Sequence, residues 1–238
     1  EIDTRHGTCF GERCRQRVAI SYPAINTADY LNLRREITAA VLERRGLRRD
    51  RYLLFLSRLA HAKGVDDLIG GFTASAACHD RTLVIAGNGP EAPQLHELAA
   101  ASSAADRIRF LHDVDDDEKP HLMAGCAAFV LPSKPRPEFV ETFGIALVEK
   151  MLAGGGPVIT TSTGGIGEAV GDTAMIVPVN APSSIAAALN LAVTMPDEER
   201  MTMAERAREQ ALQFDRAHVF DRLLDRLATA TERQLSPI

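Results

Sequence analysis

From residue 50 onward, short apolar runs alternate with amphipathic stretches of helical period. Arg51-Tyr52-Leu53-Leu54-Phe55-Leu56 is apolar at consecutive positions, the mark of a strand buried on both faces. Val65, Leu68, Ile69 and Phe72 then recur at i, i+3, i+4 and i+7, one face of a helix. Thr82 to Ala86 is the next strand, ended by the turn Gly87-Asn88-Gly89-Pro90. Leu95, Leu98 and Ala99 follow at helical spacing, and Arg107 to Leu111 is a third strand. A short helix over 116–124 leads to a fourth strand, Ala127 to Leu131. A helix holding Glu141 and Glu149 runs to about Ala153, followed by strands at Val158 to Thr160 and Ala174 to Val177. Three helices close the chain, over 182–194, 197–212 and 215–231. The last carries an apolar face of Val219, Phe220, Leu223, Leu224 and Leu227.

Apolar strands alternating with helices need cover on both faces of one sheet, and right-handed crossovers then make it parallel. The fold class is therefore α/β: a Rossmann-like, doubly wound parallel sheet. Ligands of such sheets sit beyond the carboxyl ends of the strands. The first 49 residues differ. Val18 to Ser21 reads as an isolated strand, followed by a turn at Tyr22-Pro23 and a charged helix over 34–45. One strand cannot bury itself, so this segment belongs to a preceding domain or packs on an edge. The expected division is 1–49, 50–214 and 215–238.

Glu141 and Glu149 stand eight positions apart, after a loop holding Pro132, Pro135 and Pro137 and before Gly154-Gly155-Gly156-Pro157. On a helix that spacing is about two turns, roughly 12 Å of rise, enough to hold two hydroxyl-bearing ends of one extended ligand. Paired acids are also common on surface helices, so the context decides. Glu141 falls near a helix N-terminus, whose free N–H groups favour anions such as phosphate. Arg58 and Lys63-Gly64 follow the first strand and offer a fork and a point charge suited to a diphosphate. Arg58 could instead pair with Asp66 or Asp67.

Composition excludes several classes. A net charge of −5 argues against a nucleic-acid partner, and no apolar run approaches the ~20 residues of a transmembrane helix. Arg44, Arg45, Arg48, Arg49 and Arg51 are interleaved with Glu43 and Asp50 and read as a solvated helix end and loop. Asp113, Asp115, Asp116, Asp117 and Glu118 lack the spacing of a calcium loop and read as solvated helix capping. His61, His112 and His121 have no Ser or Cys partner at a recognisable spacing. Cys9, Cys14, Cys78 and Cys126 form no C-x-x-C pair, so reduced thiols and a cytoplasmic location are expected. The chain begins without Met and shows no signal peptide.

Taken in order, these residues carry a resemblance. Ser57-Arg58-Leu59, Lys63-Gly64, Ile85 to Pro90, Val130 to Ser133, Glu141-x-Phe143-Gly144 with Glu149, Gly156 to Ile159 and Gly164-Gly165-x-x-Glu168 resemble the C-terminal half of GT-B-fold glycosyltransferases. The likeness is to the retaining type with the E-x7-E motif, often called family 4, and covers about residues 50–232. It implies a nucleoside-diphosphate sugar as donor, without a cofactor or metal. Arg58 and Lys63 would lie on the diphosphate and Glu149 on the ribose hydroxyls. Glu141, with the backbone of Phe143, Gly144 and Ile145, would hold the sugar and phosphate. Val114 and Lys119 would lie beside the base or ribose.

Two features depart from the family pattern: Thr142 stands where Gly is commoner, and the loop Lys134 to Val140 is longer than the shortest family version. The acceptor would be bound mainly by an N-terminal domain of which 1–49 is a remnant, and the last helix normally crosses back to that domain. The implied function is transfer of a hexose or N-acetylhexosamine to an acceptor hydroxyl, with this chain alone inactive. Val140 to Gly144 and Glu149 to Gly156 also resemble transferases of aminoglycoside-antibiotic pathways, which suggests UDP-N-acetylglucosamine or UDP-glucose. A GT-B nucleotide-sugar epimerase and a non-catalytic nucleotide-binding module remain as alternatives.

Overall fold

The computed structural model describes residues 21–137 and 139–235. The strand expected at Val18 to Ser21 and the thiols of Cys9 and Cys14 fall largely or wholly outside these residues. The chain divides into two compact units. One spans Thr27–Leu212; the described part of the other is 21–26 together with 213–235.

The larger unit is the α/β sheet that the pattern predicts. Its strands are β1 (Tyr52–Leu56), β2 (Thr82–Ala86), β3 (Ile108–Leu111), β4 (Ala128–Leu131), β5 (Val158–Thr160) and β6 (Met175–Ile176). They pair in parallel in the order β3-β2-β1-β4-β5-β6. This is the doubly wound order, in which the direction of winding reverses between β1 and β4. Tyr52 to Phe55, Leu83 to Ala86 and Ala128 to Val130 are all fully buried, which is why these strands read as unbroken apolar runs.

The helices form two separate layers. On one face, α3 (Val65–Ala74) packs against α4 (Ala92–Ala101) and α8 (Pro182–Thr194). On the other lie α1 (Ala28–Leu31), α2 (Arg35–Arg44), α5 (Lys119–Gly125), α6 (Ile145–Ala153), α7 (Ile166–Val170) and α9 (Asp197–Leu212). The single turn α1 and the short α7 were not legible in the sequence. The charged helix expected over 34–45 is α2, and it packs on α5 within the sheet's own unit.

The interface of α2 with α5 corrects two expectations. Arg45 is not solvated: its side chain is 17% exposed, and it pairs with Glu118 and with Asp113. Arg44 joins Glu118 at 2.7 Å. Glu118 is not a solvated capping acid either, since its side chain is only 6% exposed. Asp115 does cap, accepting the Glu118 N–H at 2.8 Å. Beneath them Thr38 Oγ1 meets His121 Nδ1 at 2.8 Å, and burial lowers the affinity of His121 for a proton.

In the smaller unit, Ile25 N–H donates to Phe214 O at 3.0 Å and Arg216 N–H to Ile25 O at 2.9 Å. The final helix, α10 (Arg216–Leu235), exposes Phe220, Leu223, Leu224 and Leu227 of its expected apolar face.

Two predictions follow from this packing. Phe129 is fully buried on β4, paired across to Leu54 and Val158. Phe129→Ala is expected to lower stability by about 3–5 kcal/mol in urea denaturation. The bonds from Arg45, and then from Arg44, hold the Glu118 carboxyl below its ordinary range against the opposing effect of burial. A carboxyl so held stabilises the fold above that range and loses the effect as pH falls through its folded value. Glu118→Gln is therefore expected to be less stable at pH 7, with the difference from wild type narrowing between about pH 5 and about pH 3. A difference constant across that range would refute the assignment.

Candidate functional site

The strands end in register. Leu56 pairs with Ala86, Ala86 with Leu111, and Leu131 with Thr160. Their following loops therefore leave from one edge, on either side of the β1–β4 reversal. The β1 loop makes a short turn at His61–Lys63 and then reaches Gly64 at φ +68°. A Cβ on Gly64 would stand 2.1 Å from Pro132 O, so only glycine lets this loop close against the loop after β4. Lys134 N–H donates to Ala62 O at 2.8 Å and completes the closure.

Arg58 lies exposed on this loop and makes no side-chain bond among the described residues. It does not pair with Asp66 or Asp67. The ammonium of Lys134 takes both, at 2.8 and 3.1 Å. Lys63 is enclosed instead. Its side chain is 14% exposed, its ammonium contacts the Glu141 carboxylate directly, and it stands 5.2 Å from the centre of the Phe139 ring.

Glu141 is not on a helix with Glu149. Helix α6 begins at Ile145, four residues after Glu141, because Gly144 takes φ +88° as its N-cap. A left-handed residue cannot continue a right-handed helix. Glu141 is buried in the preceding loop, where its backbone oxygen accepts the Gly165 N–H at 2.9 Å. Thr142 likewise precedes the helix and is exposed. The N–H groups of Ile145 and Ala146 come before the first internal bond of α6, from Leu147 N–H to Gly144 O at 2.9 Å. They supply the open helix end that the sequence suggested. Phe143 is buried, while Ile145 is exposed.

Glu149 sits mid-helix on α6. Its Oε1 accepts two bonds: from Tyr30 Oη at 2.7 Å and from Lys119 Nζ at 3.0 Å. Burial, and then the bond to Glu149, push the Tyr30 hydroxyl well above its usual range. Burial alone would loosen the proton of Lys119, but the bonds with Tyr30 and Glu149 outweigh it and leave that ammonium more strongly protonated than usual. Sequence reasoning missed Tyr30, which lies 119 positions before its partner on the single turn α1.

The candidate residues thus gather into two ion pairs, Lys63–Glu141 and Lys119–Glu149. Val114 is half-buried in the loop after β3, and Arg58, Val114 and Ile145 make no side-chain bond to either pair. Ser133 Oγ and Thr163 Oγ1, in the loops after β4 and β5, are buried without a hydrogen-bond partner. Among the described residues no three His, Cys, Asp or Glu side chains are grouped to hold a metal ion, and no helix is long and apolar enough to cross a membrane.

The sheet order agrees with the likeness to known proteins. Residues 43–210 match the family model "Glycosyl transferases group 1". D-inositol 3-phosphate glycosyltransferase of Salinispora tropica is 32% identical over 224 residues, covering 88% of this chain and 45% of that protein. The chain thus spans about half the length of the curated relatives it matches, or less. Among solved structures, HepE of Anabaena in complex with UDP-glucose has a TM-score of 0.77 at 22% identity, covering 89% of this chain and 57% of HepE. The C-terminal domain of LpcC, a group 1 glycosyl transferase of Francisella tularensis, has a TM-score of 0.66 at 18% identity. That match covers 80% of this chain and 97% of the domain, so the two share a fold. With its sheet order and a family match over most of its length, the chain belongs to the group 1 glycosyl transferases.

Proposed function

We propose that this chain is the donor-binding half of a retaining, E-x7-E-type glycosyltransferase of family 4, and that its donor is a UDP-sugar. The observation that carries the reading is the Lys63–Glu141 pair beside the open N-terminus of α6. A cation, a carboxylate and free backbone N–H groups at one point suit the junction of a sugar and a diphosphate. Arg58 supplies a second, unpaired cation at the same strand edge. In this reading Arg58, Lys63 and the α6 N-terminus bind the diphosphate and stabilise it as it leaves, the term that dominates such reactions. Glu141 takes hydroxyls of the sugar, with the backbone of Phe143, Gly144 and Ile145 beside it. Glu149 takes the ribose, and Val114 and Lys119 flank the base and ribose.

The choice of UDP is supported by HepE, whose structure holds UDP-glucose. The sequence likeness to aminoglycoside-pathway transferases supports glucose or N-acetylglucosamine as the sugar. In this reading the acceptor is bound mainly by an N-terminal domain.

Calorimetry with UDP-, GDP- and ADP-sugars tests the donor site. UDP-glucose or UDP-N-acetylglucosamine is expected to bind. Arg58→Ala should weaken that binding about tenfold, the cost of one charge-assisted bond. Arg58 is exposed, so its loss reads on binding rather than on folding. Binding by none of the sugars would refute the donor assignment. Purified on its own, the chain is expected to transfer little or no sugar to acceptors. Robust turnover would show that it carries its own acceptor site.

A further inference from the structure

We propose that Tyr30 and Lys119 are positioning residues for Glu149: together they occupy its Oε1, so that Oε2 alone is presented to a ribose hydroxyl of the donor. The inference rests on the donor-site reading above and goes beyond it in assigning Tyr30, which no motif marks.

Three elements converge here. Tyr30 comes from α1, Lys119 is the first residue of α5, and Glu149 belongs to α6. The Tyr30 side chain is buried, with the whole residue 6% exposed, and α1 packs on α6. Lys119 Nζ lies 3.0 Å from Glu149 Oε1, 3.5 Å from Asp116 Oδ1 and 5.8 Å from the centre of the Tyr30 ring. The ammonium is therefore held by a carboxylate on each side and by the π face of the tyrosine. A carboxylate oxygen accepts about two hydrogen bonds. Oε1 already has two, and Oε2 has no partner among the described residues.

The consequence is chemical. A free glutamate can grip two vicinal hydroxyls, one with each oxygen. Here one oxygen is filled from within the protein, and the carboxylate is fixed in rotation. The donor meets a single oriented acceptor rather than a swivelling pair. Pre-setting that orientation in the empty protein removes an ordering cost from binding.

Tyr30→Phe keeps the ring, its packing and its contact with Lys119, and deletes only the hydroxyl. UDP binding, read by calorimetry on the whole chain, is expected to weaken about tenfold. In a Glu149→Ala background the same substitution should have no further effect, because Tyr30 acts through Glu149. An equal tenfold loss in both backgrounds would overturn the proposal, as it would for a tyrosine that touches the ligand or merely supports the fold. If Glu149→Ala itself leaves UDP affinity unchanged, the ribose assignment fails and the inference falls with it.

The contact has its own readout without ligand. In protein labelled with 13C at the tyrosine ring carbons, the Tyr30 resonance should resist ionisation to higher pH than a free phenol. In Glu149→Gln it should titrate at lower pH than in wild type. No shift between the two proteins would show that Tyr30 does not hold Glu149, and would overturn the positioning role whatever UDP does.

Discussion

The pairing of β1 with β4 is the constraint on which the remaining structure rests. Only Leu53 with Ala128 and Leu54 with Phe129 are in register there, yet this ladder joins the two halves of the sheet. Strands before it wind one way and strands after it wind the other. Right-handed crossovers then put α3 and α4 on one face and α5, α6 and α7 on the opposite one. The loops after β1 and β4 leave in opposite directions from adjacent strands. Doubly wound sheets bind ligands in the crevice where such loops part, and Lys63, Glu141 and the α6 N-terminus follow these two strands. The contact of Gly64 with Pro132 O sets how closely the two loops approach.

Electrostatics within that crevice are arranged in advance. Lys63 and Glu141 are each largely buried, and so are Lys119 and Glu149. Taking such charges out of water is costly, and mutual pairing recovers the cost only in good geometry. A protein seeking stability alone gains more from apolar side chains of the same volume. Two buried pairs at the ligand edge of a doubly wound sheet therefore favour a binding role over a structural one. Arg58 fits the same logic from the other side, since it remains in water with no acid of its own. In the proposed reading it is the cation most readily given to an arriving diphosphate.

How much of this was legible in the sequence depends on the range of the interaction. All six strands and the longer helices follow from local periodicity, because each buries a face whose pattern is written in neighbouring residues. The spacing of Glu141 and Glu149 was informative but its geometry was misread. Gly144 turns left-handed and starts the helix after Glu141, a backbone choice that the pattern Glu-Thr-Phe-Gly does not announce. Arg44, Arg48, Arg49 and Arg51 are exposed as expected, but Arg45 was read as solvated with them because its partner, Glu118, lies more than 70 positions on. Tyr30 escaped for the same reason. Its single turn has too few residues to show a period, and its partners sit on two other helices. Gly64 was read as opening the next helix, and it is that helix's N-cap, while its contact with Pro132 O is a tertiary fact.

Helix α6 shows how tightly the site is tied to the core. Glu149 reaches the ligand edge, and the next residue, Lys150, is fully buried. Burial depresses the proton affinity of that amine, which donates to Gly154 O and lies beside Cys126. Neighbouring residues on a helix point about 100° apart. Lys150 therefore points into the core beside Cys126, while Glu149 faces Tyr30 and Lys119. At the other end, the bond from Leu147 N–H to Gly144 O fixes where the open N–H groups begin. The same nine residues therefore set the open N-terminus and the carboxylate together, and a change in either is transmitted to the other through one rigid turn of backbone.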